Sequence, residues 1–182
     1  MKYKLTDKSK IVNGIKVFRI ESLEDNPKHG IKKGDRGGFI ETKKNLGVYG
    51  NAWVYGDAWV YDNARVYGNA QVYSNAWVYG NAWVYGDAQV YSNAWVYGNA
   101  WVYGDARVYG NAWKKSPLQI QGSKHFINIC SKEMLQIGCF KKSIQDWKKE
   151  YKKVGEENCY TQEEIKEYKL YIDLVEKIMD LK

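Results

Sequence analysis

Proline is nearly absent, with two residues in 182, and the chain holds only two histidines, three cysteines and four phenylalanines. Leucine is scarce as well, so the composition does not suit an ordinary globular core. No run of about 18 apolar residues exists, which excludes a helical membrane span. The segment from Met1 to Asp7 has no apolar stretch that could act as a secretory signal, and a cytoplasmic location is expected. Cys130, Cys139 and Cys159 are an odd number with no CxxC pair. Reduced thiols are expected, and with His125 they show no recognisable zinc-ligand spacing, so no metal site is expected. With only His29 and His125 available, no Ser-His-Asp set, HExxH motif or paired catalytic carboxylates can be assembled, and neither catalytic residues nor a cofactor are expected.

What the chain has in quantity is tyrosine, sixteen residues, and tryptophan, eight. Most of them fall in a repeat of six that starts at Val48 and runs through eleven units without a gap to Trp113. Each unit reads like Val54-Tyr55-Gly56-Asp57-Ala58-Trp59. The first residue is always Val, the second Tyr and the fifth Ala. The third is Gly except at Asp62, Ser74 and Ser92, the fourth is Asn or Asp, and the sixth varies among Trp, Arg and Gln. A period of six does not fit a helix. It fits a short strand, Ala-x-Val-Tyr, in which Ala and Val share one face while Tyr and the variable residue share the other. Ala and Val suit a narrow dry interior, and Gly, Asn and Asp tolerate the positive φ of a tight corner.

This pattern resembles the hexapeptide-repeat family, with its aliphatic residue followed four positions later by a small one. The resemblance implies a mainly β fold, a left-handed parallel β-helix with three units per turn. Eleven units make a little under four turns. Stacking every third unit sorts the variable positions into columns. One face would carry the tryptophan ladder Trp59, Trp77, Trp95 and Trp113, with Tyr55, Tyr73, Tyr91 and Tyr109 beside it. A second would carry Arg65, Trp83 and Trp101, and a third Trp53, Gln71, Gln89 and Arg107. Stacked rings add roughly 0.5–1.5 kcal/mol per pair, so stiffening the coil is one reading of them. The other is binding, because seven of eleven variable positions are Trp and soluble proteins seldom show apolar patches beyond a few hundred Å². Self-association, a terminal helix folding back, or a foreign protein would cover them.

Residues 1–47 are expected to cap the repeat. Val12-Asn13-Gly14-Ile15 signals a hairpin with a type I′ turn. Counting back in sixes places Ile40 and Leu46 at the Ala position, with an irregular first coil beginning near Gly38. This cap holds twelve basic and six acidic side chains, a net +6, whereas residues 48–113 carry two against four, a net −2. Lys32, Lys33, Arg36, Lys43 and Lys44 are the candidates for contact with an acidic or phosphate-bearing partner. The Gly-rich loop before Phe39 lacks a P-loop ending and reads as a cap turn.

Residues 114–182 form a third segment. Lys114 falls where a Val is due. Residues 118–121, 124–130 and 134–140 read as strands that would seal the repeat. A helix starts near Ser143, with Ile144, Trp147, Tyr151 and Val154 on one face and Gly155 as its stop. A second opens on the capping box Thr161 to Glu164 and continues with Ile165, Tyr168, Ile172, Val175 and Met179. The lead-in at residues 34–41, the repeats and Gly138-Cys139-Phe140 together resemble a group of bacteriophage and prophage proteins, which have no established activity to carry over. The expectation is a phage-type, non-catalytic scaffold in the host cytoplasm that binds a protein or protein–nucleic acid complex, as a possible homo-oligomer (trimer or dimer). An inhibitor of antiviral defence, such as of a CRISPR effector, would be one example. An acyltransferase, or nucleic-acid or carbohydrate binding on the ladders, are the alternatives.

Overall fold

The computed structural model describes residues 2–110 and 112–180. Two compact units are present, Met1–Pro117 and Leu118–Lys182. In the first, strands β1 (Tyr3–Val12) and β2 (Ile15–Ser22) form an antiparallel hairpin. Its turn residues Asn13 and Gly14 have φ of 49° and 80°, the two positive values a type I′ turn requires. Strand β3 (Arg36–Ile40) pairs antiparallel with β2 and parallel with Trp59–Val60, and so turns the hairpin sheet into the first face of a parallel β-solenoid. That column continues through Trp77–Val78 and Trp95–Val96. A second column stacks β4 (Leu46–Gly50), Arg65–Gly68, Trp83–Val84 and Trp101–Val102. The third stacks Trp53–Val54, Gln71–Val72, Gln89–Tyr91 and Arg107–Tyr109.

Partners along a column are three repeat units apart, Trp59 opposite Trp77 and Val60 opposite Val78. Backbone bonds fix that spacing, for example Trp59 N–H to Ala76 O at 2.9 Å and Tyr61 N–H to Val78 O at 3.1 Å. Every Ala from Ala52 to Ala106 and every Val from Val54 to Val108 at the repeat positions is fully buried. All third positions from Gly50 to Gly110 lie in the left-handed region with φ of 56–75°, including Asp62, Ser74 and Ser92. Fourth-position amides bond along the corners, Asn63 Nδ2 to Asn81 Oδ1 and Asn81 Nδ2 to Asn99 Oδ1, each 3.2 Å. At the first coil Lys2 is buried, and its ammonium donates to Ala52 O at 3.0 Å and Gly50 O at 3.2 Å. Burial pulls its pKa down to about 8 against the opposing pull of Glu24.

Both ends depart from strict counting. Ile40 pairs with Val60 and Leu46 with Val66, so they occupy Val positions, not Ala positions, and are buried. Val48 and Tyr49 are 42% and 88% exposed, because β4 loops out between Leu46 and Gly50 before Gly50 rejoins opposite Gly68. A bulky Ile or Leu fills an end that has a neighbouring coil on one side only. At the other end Ala112 pairs with Trp95 and Trp113 with Val96, one residue ahead of schedule. In strict register Lys114 would enter the dry interior, and an unpaired buried ammonium is costly. A one-residue slip exchanges the faces, so Lys114 is exposed and Trp113 is buried.

The second unit is an antiparallel meander of strands Gln119–Gln121, Phe126–Ser131, Met134–Ile137 and Phe140–Ser143. Residues 134–140 are therefore not one strand: Gly138, with φ of 56°, turns the chain between two. Helix α1 (Ile144–Glu157) starts at Ser143, whose Oγ accepts from Asp146 N–H at 3.0 Å. Gly155 lies inside α1 and does not stop it. A Cβ there would stand 2.8 Å from Ile165 Cγ1, so the glycine serves the close approach of helix α2 (Gln162–Asp180). The expected capping box is present, with Glu164 N–H donating to Thr161 Oγ1 at 3.1 Å and Thr161 N–H to the Glu164 carboxylate at 2.7 Å. Ile165, Tyr168, Ile172 and Val175 are its buried stripe.

The corners yield a graded test. A Cβ on Gly56 would find its nearest neighbour 3.6 Å away, whereas on Gly86 it would meet Gly104 N at 2.9 Å and Gly104 Cα at 3.2 Å. Gly56→Ala should cost only the left-handed penalty, about 1–2 kcal/mol. Gly86→Ala should cost roughly twice that, because backbone must also move. Urea unfolding of the two variants measures the difference.

Candidate functional site

The outward positions of the solenoid are stacked rows of rings. In the first column Trp59 and Trp77 lie 4.7 Å apart between centroids at 19°, and Trp77 and Trp95 5.0 Å at 10°. Trp83 and Trp101 repeat this in the second column at 5.4 Å. Three tyrosine rows run alongside: Tyr61, Tyr79 and Tyr97; Tyr67, Tyr85 and Tyr103; Tyr73, Tyr91 and Tyr109. Parallel pairing in register puts like on like, and the offset-stacked spacing is the favourable one for rings.

Trp113 is not a member of the ladder, since its slip turns it into the interior at the Val position. Its indole Nε1 is buried without a partner among the described residues. The ladder begins instead with Phe39, paired with Trp59. The residue order betrayed it: Phe39-Ile40 repeats the Trp-Val order of the units, which counting in sixes from Val48 obscures. Two cations lie over Phe39, Lys10 Nζ at 4.6 Å and the Arg19 guanidinium at 4.5 Å from its centroid. Both also reach Asp57, at 3.2 and 3.1 Å. The tyrosines on the ladder's own strands are Tyr61, Tyr79 and Tyr97; Tyr73, Tyr91 and Tyr109 share strands with or follow Gln71, Gln89 and Arg107.

Cover is uneven along these rows. The N-terminal hairpin lays Val12, Ile15 and Val17 over Phe39 and Tyr61, and Tyr61 is 2% exposed. Trp53 is as deeply buried, with Tyr3 edge-on at 6.4 Å. At the far end of the rows Trp95 is 43% and Trp101 46% exposed. The aromatic surface thus opens toward the later coils.

On the third face a single-turn 3-10 helix, Pro27–His29, anchors the cap. His29 Nε2 lies 3.2 Å from Asn69 O, and Gln71 Nε2 lies 2.9 Å from His29 Nδ1. The neutral tautomer with hydrogen on Nε2 satisfies both contacts, and no ring nitrogen remains for a substrate. Burial lowers its pKa, partly offset by the Asn69 carbonyl. Lys28 bridges to Asp87 at 2.8 Å.

The basic candidates do not converge. Lys32, Lys33 and Arg36 precede or open β3, and Lys43 and Lys44 follow it, at opposite ends of a strand about 13 Å long. In the first loop the backbone amides of Lys32 and Lys33 are already taken by the Asp35 and Asp25 carboxylates at 2.8 Å. Lys44 lines a polar groove with Arg65, Glu41 and Asp62, a set of mixed sign. Among the described residues no group of three or more His, Cys, Asp or Glu is placed to hold a metal ion, and no helix is long and apolar enough to cross a membrane.

Comparison with known families matches the repeat to the YdcK Beta solenoid repeat, over residues 48–62, 58–74, 70–86, 88–104 and 100–114. The chain is thus similar to that β-solenoid repeat over the region whose coils are described above. No curated protein matches the chain.

The buried phenols make stability depend on alkaline pH. Burial raises Tyr3, Tyr55 and Tyr61 to about 12, with Tyr73 adding to Tyr55, and Asn13 partly offsetting the effect at Tyr61. In the unfolded chain phenols ionise near 10, so this contribution is complete below about pH 10 and is lost as pH rises through 12. Urea midpoints should fall between pH 10 and 12, and Tyr61→Phe should make the fall shallower.

Proposed function

We propose that the chain is a non-catalytic scaffold whose solenoid binds a protein through its exposed stacked aromatics. The observation that carries this reading is the contrast between columns. Gln71, Gln89 and Arg107 stack as outward residues of the third face, so a coil of this geometry forms without tryptophan there. Trp95 and Trp101 occupy the equivalent positions and are 43% and 46% exposed. A ring kept only for stiffness gains little from facing water, whereas exposed Trp and Tyr are the residues that anchor protein interfaces. Self-association into a dimer or trimer is the first form of this binding.

The resemblance to bacteriophage and prophage proteins supports a foreign partner in the host cytoplasm, a protein or protein–nucleic acid complex of antiviral defence such as a CRISPR effector. A left-handed coil is what the resemblance to the hexapeptide-repeat family implies. Against an acyltransferase stands His29, with both ring nitrogens engaged. Against direct single-strand binding stands the net −2 of the repeat, since such grooves are basic.

Native mass spectrometry of the gently purified protein should show an oligomer or a retained protein. Trp95→Gln with Trp101→Gln should remove that mass while the far-ultraviolet spectrum stays unchanged, at about 0.5–1.5 kcal/mol of lost stacking per ring. A double variant that keeps the same mass and partner would overturn the assignment.

A further inference from the structure

The second unit contains a cavity that the scaffold reading does not use. It has a volume of about 60 Å³ and is bounded by the Gly138 turn, α1 and the start of α2. A single water needs about 10–15 Å³ of such space, and drug-sized ligands occupy roughly 300–1,000 Å³, so the opening suits one small ring, partly inserted. Phe140, Trp147, Tyr151, Tyr160 and Ile165 are among its walls, and no Asp, Glu, Lys or Arg lines it. A charged ligand would lose its hydration there and meet no counter-charge.

Two glycines let its walls approach closely. A Cβ on Gly138 would stand 2.8 Å from His125 Cδ2, and one on Gly155 2.8 Å from Ile165 Cγ1. The polar wall is fixed. His125 Nδ1 lies 2.6 Å from Tyr160 Oη, with the two rings stacked at 5.6 Å. Tyr168 Oη accepts from Lys124 N–H at 3.1 Å and from His125 N–H, and donates to His125 O at 2.9 Å. Burial, reinforced by Tyr168, raises the Tyr160 phenol, which stays neutral beside Nδ1. The Trp147 indole N–H is already given to Leu135 O at 2.9 Å.

We propose that this cavity binds a small, uncharged aromatic molecule whose one polar group hydrogen-bonds to the His125 ring. The aromatic walls take the ring, and that polar group selects the orientation.

The three cysteines provide the test. Cys139 and Cys159 are both exposed, but only Cys139 lines the mouth of the cavity, and Cys130 is buried. Phenol is the probe, with benzoate and benzylamine as charged controls, and labelling by N-ethylmaleimide is followed by mass spectrometry. For a ligand of this size a Kd on the order of 1 mM is expected. At about ten times that concentration Cys139 should label roughly tenfold more slowly, with Cys159 unchanged and neither charged analogue protecting. His125→Phe should abolish protection, and an unreactive Cys130 shows that this variant remains folded. Equal Cys139 rates with and without phenol would overturn the proposal. So would equal slowing of Cys159, or protection by benzoate or benzylamine as strong as by phenol. Protection that survives in a folded His125→Phe variant would remove the histidine from the site.

Discussion

The first unit depends on backbone hydrogen bonding between each coil and the next, in a register of three repeat units. That ladder sets every residue beneath its own counterpart. Val lies on Val and Ala on Ala inside, and outside Trp stacks on Trp and Tyr on Tyr. The aromatic rows are a consequence of this register. A ring at one outward position in a single coil would be an exposed apolar group. The same ring repeated every eighteen residues becomes a wall whose members bury one another in part. The third face, with Gln and Arg in the same role, separates what the ladder requires from what the tryptophans add.

The caps follow from the same ladder. A solenoid ends in strands that lack a neighbour, and each end of this one is altered. At the first coil β3 joins an antiparallel hairpin, and the Lys2 ammonium meets two carbonyls. Ile40 and Leu46 replace Val in the interior. At the last coil Trp113 enters the interior beneath Val96. Closure is not free of cost, because the Trp113 indole N–H has no partner among the described residues.

Much of this was legible in the sequence, and the reason is periodicity. The interior, the corners, the Asn13-Gly14 turn and the Thr161 capping box all rest on local residue chemistry that repeats or stands alone. What strict counting misplaced lies where the period fails. Strict counting sets Ile40 and Leu46 at Ala positions because it cannot see two residues looped out of β4. It sets Trp113 in the ladder because the burial cost of Lys114 acts through the fold and leaves the spacing unaltered. The Phe39-Ile40 order was a usable signal for the true phase of the first coil. The cavity beside His125 had no comparable signal, since Gly138, Gly155 and Tyr160 meet only through the packing of a turn on two helices.

The two register faults at the ends also limit how such a chain can change in length. Trp113 fits beneath Val96 because a whole number of turns separates it from β3 in the same column. Duplication of one six-residue unit would leave every coil locally sound, yet bring the closing tryptophan under a different column. Duplication of three units would return it to the same place. Growth of this protein is therefore quantised, and natural length variants should differ by eighteen residues.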